Sequence, residues 1–355
     1  MIDTRTLRIA QVAPVIRAVP PADEGGTERI VAELADALID LGHDVTLFAP
    51  AGSHTRARIV EGPPSLEALT AAHGTVPPGT PAVLEAALLE TLRPMLDQFD
   101  IVHCHGEFFH AALLGAGRPT SLTTLHWRTD ELDRRLFFEC FADLPVAAIS
   151  ASQAAHVPAA NLAGIVPHGL DGARFGAGPP NAGDDLLFIG RMTDQKRPDL
   201  AIEIARAAHR RIRLAGGIDP GNPYYFAHHV EKRLGADAEY LGAIGEADKI
   251  ARLHEAAALL LPIDWPEPFG LVMIEAMACG TPVIAWNRGA APEIVEHGVT
   301  GFIVDSIAEA VEALEWVSGL DRDRIRGVFD QRFSAKRMAE NYVALYRRQL
   351  ARRTG

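Results

Sequence analysis

Lysine is the scarcest charged residue in this chain of 355 residues: only Lys196, Lys232, Lys249 and Lys336 occur, and residues 1 to 170 contain none. That first stretch sets 11 arginines against 20 acidic residues, and the whole chain carries a formal charge of −12. Such an acidic balance excludes the broad basic surface that nucleic acid or anionic lipid requires. Cysteine is equally sparse, with Cys104, Cys140 and Cys279 far apart. Three scattered thiols supply neither a disulfide framework nor the paired spacing of a zinc site, and all three are expected to be small buried hydrophobes. No run approaches the ~18 uninterrupted apolar residues of a membrane-spanning helix. The opening MIDTRTLRIAQVAPV lacks a basic stretch followed by an apolar one, so a cytoplasmic location is the expectation.

Several catalytic signatures are missing too. The dinucleotide fingerprint G-x-G-x-x-G follows neither candidate first strand, and Gly115-Ala116-Gly117 comes after a helical run, where it is read as a helix end. A P-loop needs glycine directly before lysine, whereas the four lysines follow Gln195, Glu231, Asp248 and Ala335. No G-x-S-x-G nucleophile elbow occurs. His103-Cys104-His105 puts two imidazoles on one face of a strand, yet no third ligand has matching spacing. Strand-end histidines facing a ligand cleft are favoured over a metal pair.

What is present is an alternation of short apolar runs with helical patterns, the mark of βα units around parallel sheets. A chain of 38.2 kDa exceeds one ordinary core, so two domains are expected. In residues 1–170 the predicted strands are LRIAQVAPVI, DVTLFAP, DIVHCHG, SLTTLHW, PVAAIS and AGIVPHG. Between the first two, TERIVAELADALIDLG aligns Ile30, Leu34, Ala37, Leu38 and Leu41 on one stripe. Residues 51–80 read as a long loop. Gly- and Pro-rich residues 171–185 read as a linker, after which DLLFIGR, RIRLAGGI, AEYLGAI, ALLLPID, PVIAW and GFIVD begin a second alternation through residue 333. Residues 334–355 form a last helix with arginines at its C-terminal end. The expected fold is α/β, two doubly wound, Rossmann-like parallel sheets facing one another, with ligand at the carboxyl ends of the strands.

Three features suit a bound diphosphate. Gly190-Arg191-Met192-Thr193-Asp194-Gln195-Lys196 closes a strand with a guanidinium and an ammonium in one loop. In WPEPFGLVMIEAMACG a helix starts near Leu271 and ends at Cys279, with Gly280 beyond, and the free N–H groups of Gly270, Leu271 and Val272 offer the positive end of its dipole to an anion. Glu275 then stands mid-helix among apolar neighbours, roughly 6 Å along the axis from Leu271, where an unpaired carboxylate would be costly. Glu267 lies before the helix, so two carboxylates could accept hydroxyl hydrogen bonds on either side of the phosphate. A nucleotide sugar, with ribose, diphosphate and hexose in line, has that layout. Finally, Gly25 and Gly26 in DEGGTER allow close backbone approach at a helix start, although a plain turn explains them equally.

GRMTDQK and PEPFGLVMIEAMACGTPVIA, together with GGTER, TLHW, VPHGLDGARF and GAAPEIVEHGVTGFIV, closely resemble the retaining glycosyltransferases of family 4, which have the GT-B fold. The resemblance implies an N-terminal acceptor-side domain (1–170), a linker (171–185), a C-terminal nucleotide-sugar domain (186–333) and a last helix (334–355) crossing back to the first. It also implies that Arg191 and Lys196 bind the donor diphosphate, Glu275 the ribose and Glu267 the hydroxyls of the transferred sugar. Phe269, Gly270, Leu271 and Val272 would meet phosphate or sugar, the last three through backbone amides. The backbone from Leu241 to Ile244 would face the base, Gly25 and Gly26 the reacting centre, and His126 the transferred sugar. Catalysis would rest on Glu267, His126, Arg191 and Lys196. No cofactor is expected beyond the donor, with UDP or GDP the favoured nucleotide. No D-x-D triplet is assigned to a metal, so the cations are expected to replace a divalent ion. The acceptor would be a small molecule or glycan, and the chain a monomer or homodimer. Two positions depart from the family pattern: His168 stands where Asn is usual, and Arg197 where Gly is usual. A phosphorylase, a sugar-nucleotide epimerase and a non-catalytic nucleotide-sugar-binding protein are the competing readings.

Overall fold

Runs such as RIAQV beyond its first residue and ALLL are buried on both faces, which suits strands covered by helices on either side. The computed structural model describes residues 5–22, 25–106, 109–114, 120–176, 178 and 183–354. The Gly115-Ala116-Gly117 segment lies outside the described residues, as do Asp23 and Glu24. The chain divides into two units, Met1–Leu170 with Ala335–Gly355, and Asp171–Ser334.

In the first unit β1 (Arg8–Val12), β2 (Asp44–Ala49), β3 (Arg58–Glu61), β4 (Ile101–Cys104), β5 (Thr120–Thr124), β6 (Val146–Ala148) and β7 (Leu162–Ile165) form one sheet. Every pairing is parallel, in the order β3-β2-β1-β4-β5-β6-β7. The winding direction reverses between β1 and β4, a switch point that opens a crevice at their carboxyl ends. Helix Gly26–Asp40 buries Ile30, Leu34, Ala37 and Leu38 as its stripe demands. Helix Ala335–Thr354 packs against it and sinks Tyr342 and Tyr346 into the core without residual exposure.

The second unit repeats the plan with β8 (Leu186–Ile189), β9 (Ile212–Ala215), β10 (Ala238–Gly242), β11 (Ala258–Leu261), β12 (Val283–Trp286) and β13 (Gly301–Val304). All pairs are again parallel. Their order, β10-β9-β8-β11-β12-β13, puts the switch point between β8 and β11. Leu186, Phe188, Leu214, Leu260 and Ile284 knit the strands to the covering helices in one core.

Three expectations need correction. Residues 51–80 are not one loop: they contain the edge strand β3 and helix Leu66–His73, whose N-cap Ser65 accepts a 3.1 Å bond from the Ala68 amide. The short RIVE strand is only half-buried at the sheet edge, so no alternating apolar pattern announces it. Cys140 is exposed, unlike Cys104 and Cys279. Part of the 171–185 segment is ordered within the second unit: Gly172–Phe175 makes a short helical turn, and Phe175 packs edge-on against Phe329 with ring centres 6.1 Å apart.

Candidate active site

The second unit builds its site at the switch point. Beyond β8 the chain turns through Gly190 and an exposed Arg191, which has no carboxylate partner among the described residues. The loop then folds back, so that a Cβ on Gly190 would lie 3.8 Å from that of Lys196. It is pinned to the segment after β11 by the 2.9 Å bond from the Asp264 amide to the Gln195 carbonyl. Lys196 therefore returns to the end of β8 and forms an ion pair with Oε2 of buried Glu267. Trp265 Nε1 donates to the same oxygen at 2.8 Å, and the Lys196 ammonium lies 5.1 Å from the Trp265 ring centre. No protein hydrogen bond to Glu267 Oε1 is found among the described residues; its contacts are made through Oε2.

Glu267 is fixed from behind by its own backbone. Its carbonyl accepts from the Ala290 amide at 2.9 Å, and Gly289, with φ of +54°, runs so close that an added Cβ would stand 2.4 Å from both the nitrogen and the oxygen of Glu267. Gly289→Ala is thus expected to push Glu267 off Lys196. It should cost at least about 1–2 kcal/mol from the left-handed backbone alone and reduce turnover. Urea unfolding and a transfer assay check this; a variant unchanged in both would disprove the constraint.

Helix Leu271–Ala278 is capped by Gly270, itself left-handed with φ of +86°, where an added Cβ would lie 3.4 Å from Glu267 Cγ. The half-buried Leu271 and Val272 supply its first amides, and Gly280 (φ +69°) follows its end as expected. The Phe269 side chain is buried and edge-on to Phe333, with ring centres 6.2 Å apart. Glu275 is not an unpaired charge: Lys249, from helix Glu246–Glu255, bonds its Oε1 at 2.5 Å. The cost that singles Glu275 out in the sequence is therefore met by Lys249, through Oε1 alone. Leu241 lies in β10 and Ile244 just beyond it; between them the Gly242 carbonyl is taken by the Gly216 amide at 2.8 Å.

Arg197 adopts the left-handed conformation (φ 54°, ψ 51°), which accounts for the glycine usual in the family pattern. Its guanidinium offsets the strain with bonds of 3.0 and 3.1 Å to the buried Asp199. Burial pushes the Asp199 carboxyl up more than any one partner pulls it down, but that arginine, the Tyr225 hydroxyl and the Leu200 amide together hold it below the usual range. One D-x-D spelling exists after all, Asp321-Arg322-Asp323, but Asp321 caps helix Arg322–Arg332 by accepting from the Asp323 and Arg324 amides at 2.9 and 3.2 Å. Among the described residues no cluster of three or more His, Cys, Asp or Glu could hold a metal, and no helix is long and apolar enough to cross a membrane.

In the first unit, Gly25 precedes the first helix and a Cβ there would lie 2.8 Å from Pro21 Cβ; Gly26 is the first helical residue. The carboxyl ends of β1, β4 and β5 gather the buried His103, His105 and His168 with the half-buried His126, of which the sequence shows only strand-end imidazoles. His103 bonds the Tyr346 hydroxyl through Nδ1 and Thr124 through Nε2, each at 2.7 Å. His105 bonds Gln11 Oε1 at 2.6 Å and His126 Nε2 at 2.9 Å. His168 stacks on His126 with ring centres 5.2 Å apart. Burial holds all four imidazoles far below the ordinary histidine value, His126 to about 3. Gln11, Trp265 and Lys249 are the neighbours of site residues whose part the sequence did not single out; only the rarity of lysine could have flagged the last.

Two doubly wound units carry paired cations and carboxylates at one switch point and imidazoles at the other. The comparisons give the class. A model described as "Glycosyl transferases group 1" matches residues 173–324 and one described as "Glycosyltransferase Family 4" matches residues 24–161. The chain belongs to glycosyltransferase family 4, of the GT-B fold, and is an enzyme of the sugar-transferring class. It is 26% identical over 360 residues to the phosphatidyl-myo-inositol mannosyltransferase of Mycolicibacterium smegmatis, covering 93% of this chain and 89% of that one. A D-inositol 3-phosphate glycosyltransferase of Thermobispora bispora is 32% identical over 210 residues, spanning 52% of this chain and about half (49%) of that protein. Among solved structures, AviGT4, a glycosyltransferase involved in avilamycin A biosynthesis, superimposes with a TM-score of 0.73 at 27% identity, covering 97% of this chain and 98% of that one.

Proposed function

We propose that this glycosyltransferase is retaining and metal-independent, and moves a sugar from a nucleoside-diphosphate sugar, UDP or GDP being favoured, to an acceptor hydroxyl. The observation that carries the reading is the Lys196–Glu267 pair at the β8/β11 switch point, beside the start of helix Leu271–Ala278. Cleavage of the donor places negative charge on the leaving diphosphate. Lys196, Arg191 and the first amides of that helix are then the groups to stabilise it, in the role otherwise taken by a divalent ion. Glu267 Oε1 and Glu275 Oε2 accept sugar and ribose hydroxyls.

Retention by double displacement needs a carboxylate beneath the anomeric carbon. Glu267 is tied through Oε2 to Lys196 and Trp265, and Glu275 through Oε1 to Lys249, so neither suits that role. Front-face attack by the acceptor, on the side the diphosphate leaves, fits better. The relatives named for inositol acceptors make cyclitols and their phosphates the first acceptors to try.

The test begins with thermal-shift screening against UDP, GDP, ADP and dTDP sugars, since a ligand specific to the folded state raises its apparent stability. Transfer with the selected donor is then followed in excess chelator, and the product anomer is read by NMR. An inverted anomer would overturn retention, loss of turnover in chelator would overturn metal independence, and acceptor-free conversion of the donor would favour an epimerase.

A further inference from the structure

The loop that carries Lys196 ends in a strained residue whose side chain reaches the segment that carries Glu267. Among the described residues only Arg197 and His209 combine a side chain with a positive φ. His209 stands just past the end of helix Pro198–Ala207, where a left-handed residue closes a helix in the ordinary way. Arg197 instead precedes that helix, and its carbonyl accepts the first helical bonds, from the Leu200 and Ala201 amides at 3.1 and 3.2 Å. Glycine would hold the same φ of 54° and ψ of 51° without a Cβ to clash with the backbone. A side chain kept in this place must contribute more than the strain costs.

The guanidinium does so by joining two stretches of chain. Nε and Nη2 hold both oxygens of Asp199 at 3.0 and 3.1 Å, and the Tyr225 hydroxyl bonds the same buried carboxylate at 2.5 Å. Nη1, the remaining nitrogen, donates to Asp264 Oδ2 at 3.5 Å. That contact is long, but it reinforces the 2.9 Å bond from the Asp264 amide to the Gln195 carbonyl. Arg197 directly follows Lys196, and Asp264 stands three residues before Glu267. The grip on Asp199 anchors one side of this junction, and the Asp264 contacts close it beside the Lys196–Glu267 ion pair.

We propose that Arg197 is a positioning residue that clamps the Lys196 loop to the segment before Glu267, so that the ammonium keeps its place when a donor diphosphate draws it from the carboxylate. The part played by Lys196 rests on the transferase reading above; the clamp does not. The ion pair alone is a poor tether, because Lys196 has to share its charge between Glu267 and the incoming phosphate. Arg197 is bonded to Asp199 and Asp264, so its hold does not compete with the donor for Lys196. The charge of Lys196 matters most as negative charge builds on the leaving diphosphate, so loss of the clamp acts on kcat more than on donor binding.

The experiment compares Arg197→Gly with Arg197→Gly combined with Asp199→Asn, both checked by urea unfolding. The second variant removes the buried charge pair as a unit and serves if the first does not fold; if neither folds, Arg197 is a residue of the fold and the proposal is overturned. Amide hydrogen exchange by NMR needs no activity. The Asp264 amide, whose chain neighbours are unaltered, should exchange about tenfold faster while β8 keeps its protection. Unchanged exchange at Asp264 overturns the clamp. In transfer, kcat should fall about tenfold, one hydrogen bond's worth, with donor KM changed less than about twofold. In a Lys196→Met background the same substitution should cost less than about twofold, because no ammonium is left to place. Equal losses in both backgrounds, a loss confined to KM, or full kcat in the folded variants would overturn the positioning role. Faster exchange at Asp264 in a protein that transfers no sugar would remove the transferase reading and leave the clamp standing.

Discussion

Lys196→Met is expected to lower transfer by about 10²–10³-fold and to destabilise the fold at the same time, whereas Lys196→Met combined with Glu267→Gln should recover the stability and none of the activity. The side chains of the pair are only 18% and 11% exposed. Removing one member of a buried pair leaves the other charge uncompensated, at a cost of about 3–5 kcal/mol; residual exposure and the bond from Trp265 Nε1 place this case at the lower end. In the double variant the amide still accepts from Trp265 and carries no charge, so stability should return to within about 1 kcal/mol, as replaced buried pairs commonly do. Activity cannot return, because the ammonium that meets the diphosphate is gone. Denaturant unfolding and kcat/KM of the two single variants and the double measure this coupling directly. A double variant that regains turnover would remove Lys196 from the chemistry and leave it a purely structural partner of Glu267.

The parts of this site legible in sequence are those carried by local pattern. Alternating strands and helices, the helix beginning at Leu271 and the Gly280 stop follow from periodicity and turn chemistry, and the cations of 190–196 stand out because lysine is rare. Partnerships are another matter. Nothing between residues 249 and 275 announces that Lys249 meets Glu275, since that contact depends on how two helices pack on one sheet. Glu275 was conspicuous for a cost that its partner removes. The histidine relay was similarly hidden: Gln11 and His103 come from β1 and β4, His105 and His126 from just beyond β4 and β5, and Tyr346 from the last helix, and their bonds exist only because β1, β4 and β5 lie side by side and that helix returns to them. The edge strand β3 and the capped helix after it escaped because half-buried, irregular segments have little periodicity to read.

The same relay should make the first unit acid-labile while the second endures. His103, His105 and His168 are held well below the ordinary value of 6.5, His110 to about 4 and His126 to about 3, in every case chiefly by burial. The folded state then binds fewer protons than the unfolded one at any pH between those values and 6.5. Stability therefore rises with pH through that window: it is fully present above about 6.5 and is lost as pH falls toward 4. Each such histidine contributes a slope of up to ~1.4 kcal/mol per pH unit. Five together can exhaust a domain stability of about 5–15 kcal/mol within one to three units below 6.5. Glu28, raised by burial, acts in the opposite sense but is a single group. In the second unit the buried Asp199 is shifted down, so its contribution is lost only below the ordinary carboxylate range, well after the histidines have charged. Hydrogen-exchange mass spectrometry between pH 7 and pH 5, corrected for the intrinsic rate, should show β1, β4 and β5 losing protection while β8, β11 and helix Leu271–Ala278 keep theirs. Equal loss in both units, or a first unit that strengthens on acidification, would mean that the imidazoles are already charged in the folded protein, and the relay to His126 would have to be redrawn with them.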